Sequence, residues 1–226
     1  MGLMYCVQQY AEYAGRMTTG RPRATSRDTI ADAACELFLE RGYATTTVAD
    51  ITSRAGVSRS SFFNYFASKG AILWAGLDER LDAAVAALAE GAAPRSALLS
   101  IVDGFVPDSL ALAIANAETM SAGDELERER ALRQARLARA VAARFATGTG
   151  SAPSNDDPLA PARLHGEVVG AAAAGAVLAA VWAWALAGPG RTSLRAVAES
   201  ALDAVPELGS GSARRTAVSA PRHPSA

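Results

Sequence analysis

Apolar residues recur along most of this chain at three- and four-residue intervals, not in alternation. Ile30, Ala34, Leu37 and Phe38 repeat as one face of a helix, with Arg41 at the next turn before Gly42 stops the run, and Thr25 and Asp28 stand at capping-box spacing at its start. A second, shorter stripe follows in Val48, Ile51 and Ala55. Thr47 is placed to cap that helix while Asp50 reaches back to the cap amide, and Gly56, able to adopt positive φ, ends it. Val57 then fills the gap before Ser58, a second N-cap, and Phe62 and Phe66 give the next short helix a single apolar stripe that leaves Arg59, Ser60, Ser61 and Asn64 outward. Leu73, Leu77, Leu81, Val85 and Leu88 predict a long helix ending near Gly91. Pro94 and Pro107 punctuate shorter segments that hold Leu98, Leu99, Ile101, Val102 and Phe105, then Leu110, Leu112 and Ile114. A charged helix is predicted from Gly123 to Phe145, with Asp124 to Arg128 and Glu129 to Arg133 as i, i+4 pairs on a solvated face and Leu137, Val141 and Phe145 as its stripe. No strand pattern emerges, so the fold class is all-α.

Two short helices joined by a tight turn, the second presenting Arg and small polar residues at its N-terminal end, have the outline of a helix-turn-helix DNA reader. Such a helix suits the major groove, where base edges carry a distinguishing pattern of donors and acceptors, and Arg59 is the candidate base reader. By pattern alone the same residues also fit two amphipathic helices in a plain helical core.

The stretch LFLERGYATTTVADITSRAGVSRSSFFNYFASKGAIL resembles the N-terminal domain of the TetR, or tetracycline-repressor-like, family of bacterial transcriptional regulators, over roughly Arg27 to Leu77. The resemblance implies that Thr47 and Ser61 bind phosphates, that Ala49 and the segment Ser58, Arg59 and Ser60 face bases, and that Tyr65 and Lys69 grip the backbone. Lys69 is the only lysine of the chain, and Phe63 stands where the family usually has Tyr, which removes one hydroxyl from the DNA face. The resemblance further implies that the last two long helices, here about Pro161 to Ala187 and Arg191 to Val205, pack in a four-helix homodimer interface. Small residues four apart at Gly166, Gly170 and Ala174 and at Ala171, Gly175 and Ala179 suit a close helix approach.

Composition neither announces nor excludes a nucleic-acid partner. The formal net charge is −1, and Arg27 to Lys69 balances its basic against its acidic residues, so local placement must do the work. Arg16, Arg21 and Arg23 lie in a Gly- and Pro-containing stretch, readable as an arm reaching DNA or as a solvated tail. The first residues lack a positive n-region, and Gln8, Gln9 and Glu12 interrupt their apolar run, so no secretory signal is read; Cys6 excludes the myristoylation pattern. Translation is expected to start at Met17. Val168 to Ala187 carries no charge, yet it is mostly Ala and Gly within a soluble helical pattern, so no membrane partner is expected. Two cysteines, Cys6 and Cys35, form no disulfide framework, which points to the cytoplasm, and Cys35 is read as a buried small side chain. With His165 and His223 the only histidines, no zinc site or Ser-His-Asp arrangement assembles; the carboxylates Asp103 and Asp108 look like helix-end residues, and GTGS at 148–151 lacks the Lys and strand of a phosphate loop. An enzyme and a cofactor are therefore not expected.

The chain thus reads as a disordered N-terminal arm (1–24), a helix-turn-helix DNA-binding domain (25–70), a helical effector-binding and dimerisation domain (71–206) and a disordered tail (207–226). Its expected partners are double-stranded operator DNA, a second copy of the chain and a small apolar or acyl-CoA-like effector, walled by Phe105, Met120, Trp182 and Trp184, with His165 at a polar end. Repression released by the effector is the expected mode. The alternative is a DNA-binding regulator with no effector, whose C-terminal domain only dimerises.

Overall fold

The computed structural model describes residues 26–146, 161–188 and 191–208, and every regular element among them is an α-helix. The expected arm with Arg16, Met17, Arg21 and Arg23, the cap residue Thr25, the stretch 148–158, Cys6, His223 and the tail beyond Leu208 lie outside the described residues.

Local signals set the first half. Helix α1 (Ser26–Arg41) buries Ile30, Ala34, Leu37 and Phe38, and Gly42 leaves it at φ +87°. Helix α2 (Val48–Ala55) begins on the complete capping box: Asp50 N–H donates to Thr47 Oγ1 (3.2 Å) and Thr47 N–H donates to Asp50 Oδ2 (2.8 Å). The Thr47 hydroxyl, which donates to Asp50 Oδ2 (2.5 Å), and then the Thr47 N–H hold the Asp50 carboxyl below its ordinary range. Gly56 closes α2 in the left-handed region (φ +66°), with its N–H donating to Ser53 and Thr52 carbonyls, as a side-chain-free residue does at little cost. Ser58 caps α3 (Arg59–Tyr65) by accepting Ser61 N–H at 3.0 Å, and Phe62 and Phe66 are buried beneath it.

Helix α4 (Lys69–Ala89), capped by Ser68, runs without a break through the expected boundary at residue 70. Ile72, Leu73, Trp74, Leu77 and Leu81 on it belong to one hydrophobic cluster that also takes in Ile30, Phe38 and Ile51 of the reader and Val177, Leu202 and Leu208 of the C-terminal helices. The reader and the body therefore share a core and a helix. Short helices α5 (Pro94–Ser100) and α6 (Ser109–Ala115) follow, and α6 packs on α1, α4 and the long α8. Leu208, which the expected tail would include, is buried, and its carbonyl accepts from Arg95 at 2.5 Å.

Helix α7 (Gly123–Ala146) departs from the expected solvated face. Arg133 is only 13% exposed at its side chain, because it donates to both Asp78 oxygens (2.7 and 2.6 Å) and to Glu129 (2.5 Å) and lies 4.1 Å over the Trp74 ring. Arg128 pairs with Glu125, one residue closer than the expected Asp124. What α7 gives to solvent is thus interrupted by a face of arginines that bind α4.

Helices α8 (Pro161–Leu186) and α9 (Leu194–Asp203) complete the body. Gly166 and Gly170 of α8 face the carbonyls of Ala142 and Ala138 of α7, so that stepping forward on one helix steps backward on the other and the pair is antiparallel. Small residues let the two backbones meet, the use that their four-residue spacing suggests. Helix α8 is long and apolar enough to cross a bilayer, but more than half of its most apolar window is buried within the protein, as in a core helix. Cys35 is buried, and desolvation pushes its thiol up to about 12, which leaves it protonated and unreactive.

Two outcomes are expected. A Cβ at position 170 would overlap the Ala138 carbonyl oxygen, so Gly170→Ala is expected to lower unfolding free energy by about 1–3 kcal/mol, measured by urea denaturation. Asp108 caps α6, accepting N–H bonds from Leu110 and Ala111, yet burial outweighs them and pushes its carboxyl up to about 6. The folded chain then holds this proton more tightly than the unfolded chain, whose carboxyl lies near 3.9. Its contribution is fully present below about pH 4 and lost as pH rises through about 6. Asp108→Asn is expected to flatten that stretch of the stability–pH curve.

Candidate nucleic-acid interface

The reader surface is built by α2, α3 and the turn between them. Thr47, Ala49, Ser58, Arg59, Ser60, Asn64, Phe63 and Tyr65 are all exposed, and Ser61 is half-buried. Phe63 and Tyr65 show 48% and 46% of their surface, unusual for rings with a core beside them. Ser58 Oγ lies 2.8 Å from Ser60 Oγ and 2.9 Å from Ser61 Oγ, a hydroxyl cluster at the start of α3. The Arg59 guanidinium rests 5.7 Å from the Phe63 ring centre. This arrangement holds the arginine along the helix while leaving its N–H groups open to an acceptor.

Charge neutralisation sharpens the surface. Arg54 of α2 bonds Glu36 (3.2 Å) and Glu40 (2.8 Å) of α1, and Arg27 bonds Glu79 (2.5 Å). Among the described residues, no carboxylate lies at ion-pair distance from Arg59. An outward arginine with free donors and a row of hydroxyls can bind anions and read base edges.

In the chain without DNA, Lys69 is half-buried against the loop that precedes α2. Its Nζ donates to the carbonyls of Tyr43 (2.6 Å) and Thr46 (3.0 Å), approaches that of Ala44 (3.5 Å), and lies 4.2 Å from the Tyr43 ring centre. Partial burial lowers its pKa. The ammonium therefore clasps the loop that delivers α2.

Tyr43, Gly70 and Glu125 did not stand out in sequence reasoning. Tyr43 N–H donates to Met120 O (2.5 Å) and its hydroxyl to Glu125 Oε1 (2.9 Å), while burial raises the phenol pKa. A Cβ on Gly70 would come within 2.9 Å of both the Tyr43 hydroxyl and Glu125 Oε1, so the junction needs a residue without a side chain there. The RGY triplet was the one available signal, and it named Tyr43 without its partners.

The candidate effector residues fall into separate places. Phe105 and Trp184 meet edge to face at 5.7 Å and line one cleft. Trp182 packs on Trp74 at 5.9 Å with Arg130 above it, Met120 is fully buried at the reader junction, and His165 is exposed beside Phe145, 4.0 Å from Glu207. Phe105 and Trp184 thus share a cleft that Met120, Trp182 and His165 do not line. Among the described residues no cluster of His, Cys, Asp or Glu has the makings of a metal site.

Because its donors are spent on carbonyls, Lys69→Met is expected to lower the melting temperature and weaken binding to every duplex. The slope of log K against log salt is expected to stay unchanged, whereas loss of a phosphate contact would reduce it by about one. Fluorescence anisotropy at several salt concentrations separates the two.

Residues 30–75 match the model described as bacterial regulatory proteins, tetR family. The chain is 46% identical over 55 residues to the protein named mycofactocin biosynthesis transcriptional regulator MftR of Mycobacterium tuberculosis, covering 24% of this chain and 28% of that one. It is 31% identical over 67 residues to the HTH-type transcriptional repressor ComR of Escherichia coli, covering 30% and 32%. The matches thus span about a third or less of these relatives' length. A solved structure of Thermus thermophilus FadR, a TetR-family repressor in complex with lauroyl-CoA, is 24% identical with a TM-score of 0.41 over 88% of this chain and all of that one, a likeness too loose to bear on the ligand. The relatives named here are regulators, in keeping with the expectation that the chain is not an enzyme. Over residues 30–75, where helix, turn and reader helix coincide with that match, the chain is similar to the tetR family of bacterial regulatory proteins.

Proposed function

We propose that the protein is a homodimeric, sequence-specific DNA-binding transcriptional regulator of the cytoplasm, a repressor released by a small molecule. The observation that carries this reading is the outward face of α3. Among the described residues no carboxylate pairs with Arg59, which stands there beside Ser58, Ser60, Ser61 and Asn64, on a helix whose other side is anchored by Phe62 and Phe66. Arg59 reads base edges; Thr47, Ser61 and Tyr65 meet phosphates; Phe63 packs on sugar or a thymine methyl, and Ala49 faces bases.

A second copy is favoured by the outer side of α8. Leu164, Val168 and Leu186 are exposed, with Ala171, Ala172 and Ala179 on the same side, while the inner side is spent on α7. An exposed apolar stripe along a helix of 26 residues suits a self-complementary contact. Two readers on such a dimer would meet half-sites about one turn, roughly 10 bp, apart on a near-palindromic operator.

The effector is apolar over most of its body, in keeping with the apolar lining of the helical domain. It must bind the released geometry more tightly than the DNA-bound one, and a coupling of about 1–3 kcal/mol changes occupancy roughly 5- to 150-fold. The contacts of Tyr43 with Met120 and Glu125 support a route by which movement at the start of α7 reaches the reader.

Against duplexes from its own promoter region, Arg59→Ala is expected to cost about 1–3 kcal/mol on the preferred sequence and to relax the preference at one position. Equal loss on all duplexes would remove Arg59 as a base reader. Failure of the unliganded wild-type chain to bind these duplexes at low salt would remove the reading as a whole.

A further inference from the structure

At the corner where α8 gives way to α9, a cleft of about 310 Å³ opens between that corner and the segment from Val102 to Phe105. This volume is at the lower end of the range for small-molecule sites. Its apolar walls are Phe105 and Trp184, set edge to face, with Val102 and Leu194 beside them. Two arginines, Arg191 and Arg195, enter it.

The two arginines differ in what they have left to give. Arg195 is engaged by Asp103 and by Glu199 (2.9 Å). Arg191 lies 3.8 Å over the Trp184 ring and donates one Nη1 bond to the Ala185 carbonyl at 3.3 Å, and among the described residues no carboxylate pairs with it. A guanidinium carries five donors in a planar fork that matches a carboxylate. Stacking on Trp184 fixes the plane of that fork. The start of α9 adds its own positive end beside it, since Ser193, the N-cap, lines the same cleft.

The walls are fixed before any ligand arrives. Arg80 donates to Asp103 O (2.6 Å) and lies 5.5 Å from the Phe105 ring, which pins the outer wall. Trp184 Nε1 donates to Thr192 O (3.1 Å), which pins the inner one. A rigid cleft with aromatic walls and one unsatisfied fork selects a flat, apolar, singly charged anion.

We propose that this cleft binds a small planar aromatic carboxylate, its ring packed against the apolar wall that Phe105 and Trp184 form together and its carboxylate on Arg191. Its meaning as the sensed molecule rests on the regulator reading above; the binding site itself does not.

Calorimetric titration of the full chain with 2-naphthoate and with its neutral counterpart 2-naphthamide tests this. The acid is expected to bind, the amide about tenfold or more weaker, and Arg191→Gln is expected to weaken the acid by a similar factor while leaving the amide unchanged. Phe105→Ala, on the opposite wall and clear of the α8 end that Arg191 caps, is expected to weaken both probes. Equal affinity for acid and amide, or wild-type affinity in both variants, would overturn the proposal. If 2-naphthoate binds and leaves operator affinity unchanged, the cleft stands and this acid is not the effector. If it does not bind while operator DNA is still released by another small molecule, the cleft assignment fails and the sensing reading survives.

Discussion

One ammonium group clasps the loop that precedes α2 to the first turn of α4. The carbonyls of the loop after α1 lie outside any helix, and Lys69 donates to those of Tyr43 and Thr46 and approaches that of Ala44. It does so from the first residue of α4, so the loop that delivers α2 and the helix that leaves α3 are clasped at one point. The Tyr43 ring beneath the ammonium adds a cation–π contact, and the Tyr43 hydroxyl carries the linkage on to Glu125 at the start of α7. Gly70 leaves the space in which these three groups meet. With its loop so fixed, a reader helix of only seven residues can keep a defined aim.

Around that joint the charges are arranged by subtraction. A segment with balanced charge acquires a directed positive point because Arg27 and Arg54 are neutralised by glutamates of their own neighbourhood, while Arg59 is left facing outward. The neutralised pairs are surface pairs of small individual worth, and what they contribute here is placement more than stability. The same logic appears at Arg195 and Arg191, the first paired with carboxylates and the second with none among the described residues.

Small residues separate the two uses of the long helix α8. Its Gly166 and Gly170 let it approach the α7 backbone, so the body of the chain is closed internally, and the opposite apolar side is left over. One helix thus carries both the intramolecular contact and the surface suited to a second copy. Asp108 shows a comparable compromise, since it caps a helix well but is buried deeply enough for the cap to lose part of its charge.

Elements were legible from the sequence wherever their cause is local. The capping box of Thr47 and Asp50, the left-handed stop at Gly56, the Ser58 cap and the stripes of Phe62 and Phe66 all depend on residues within four positions of one another, and helical periodicity made the all-α class and the reader's outward side readable for the same reason. Only the tertiary structure decided the roles of groups whose partners are distant in the chain. Lys69 meets a carbonyl 26 residues away, Arg133 a carboxylate 55 away and Tyr43 one 82 away, and none of these contacts leaves a signal at helical spacing. Phe105 and Trp184 were read as walls of one pocket with Met120, Trp182 and His165, but which aromatic faces which cavity is set by how helices cross, and spacing along a single helix carries no record of that crossing.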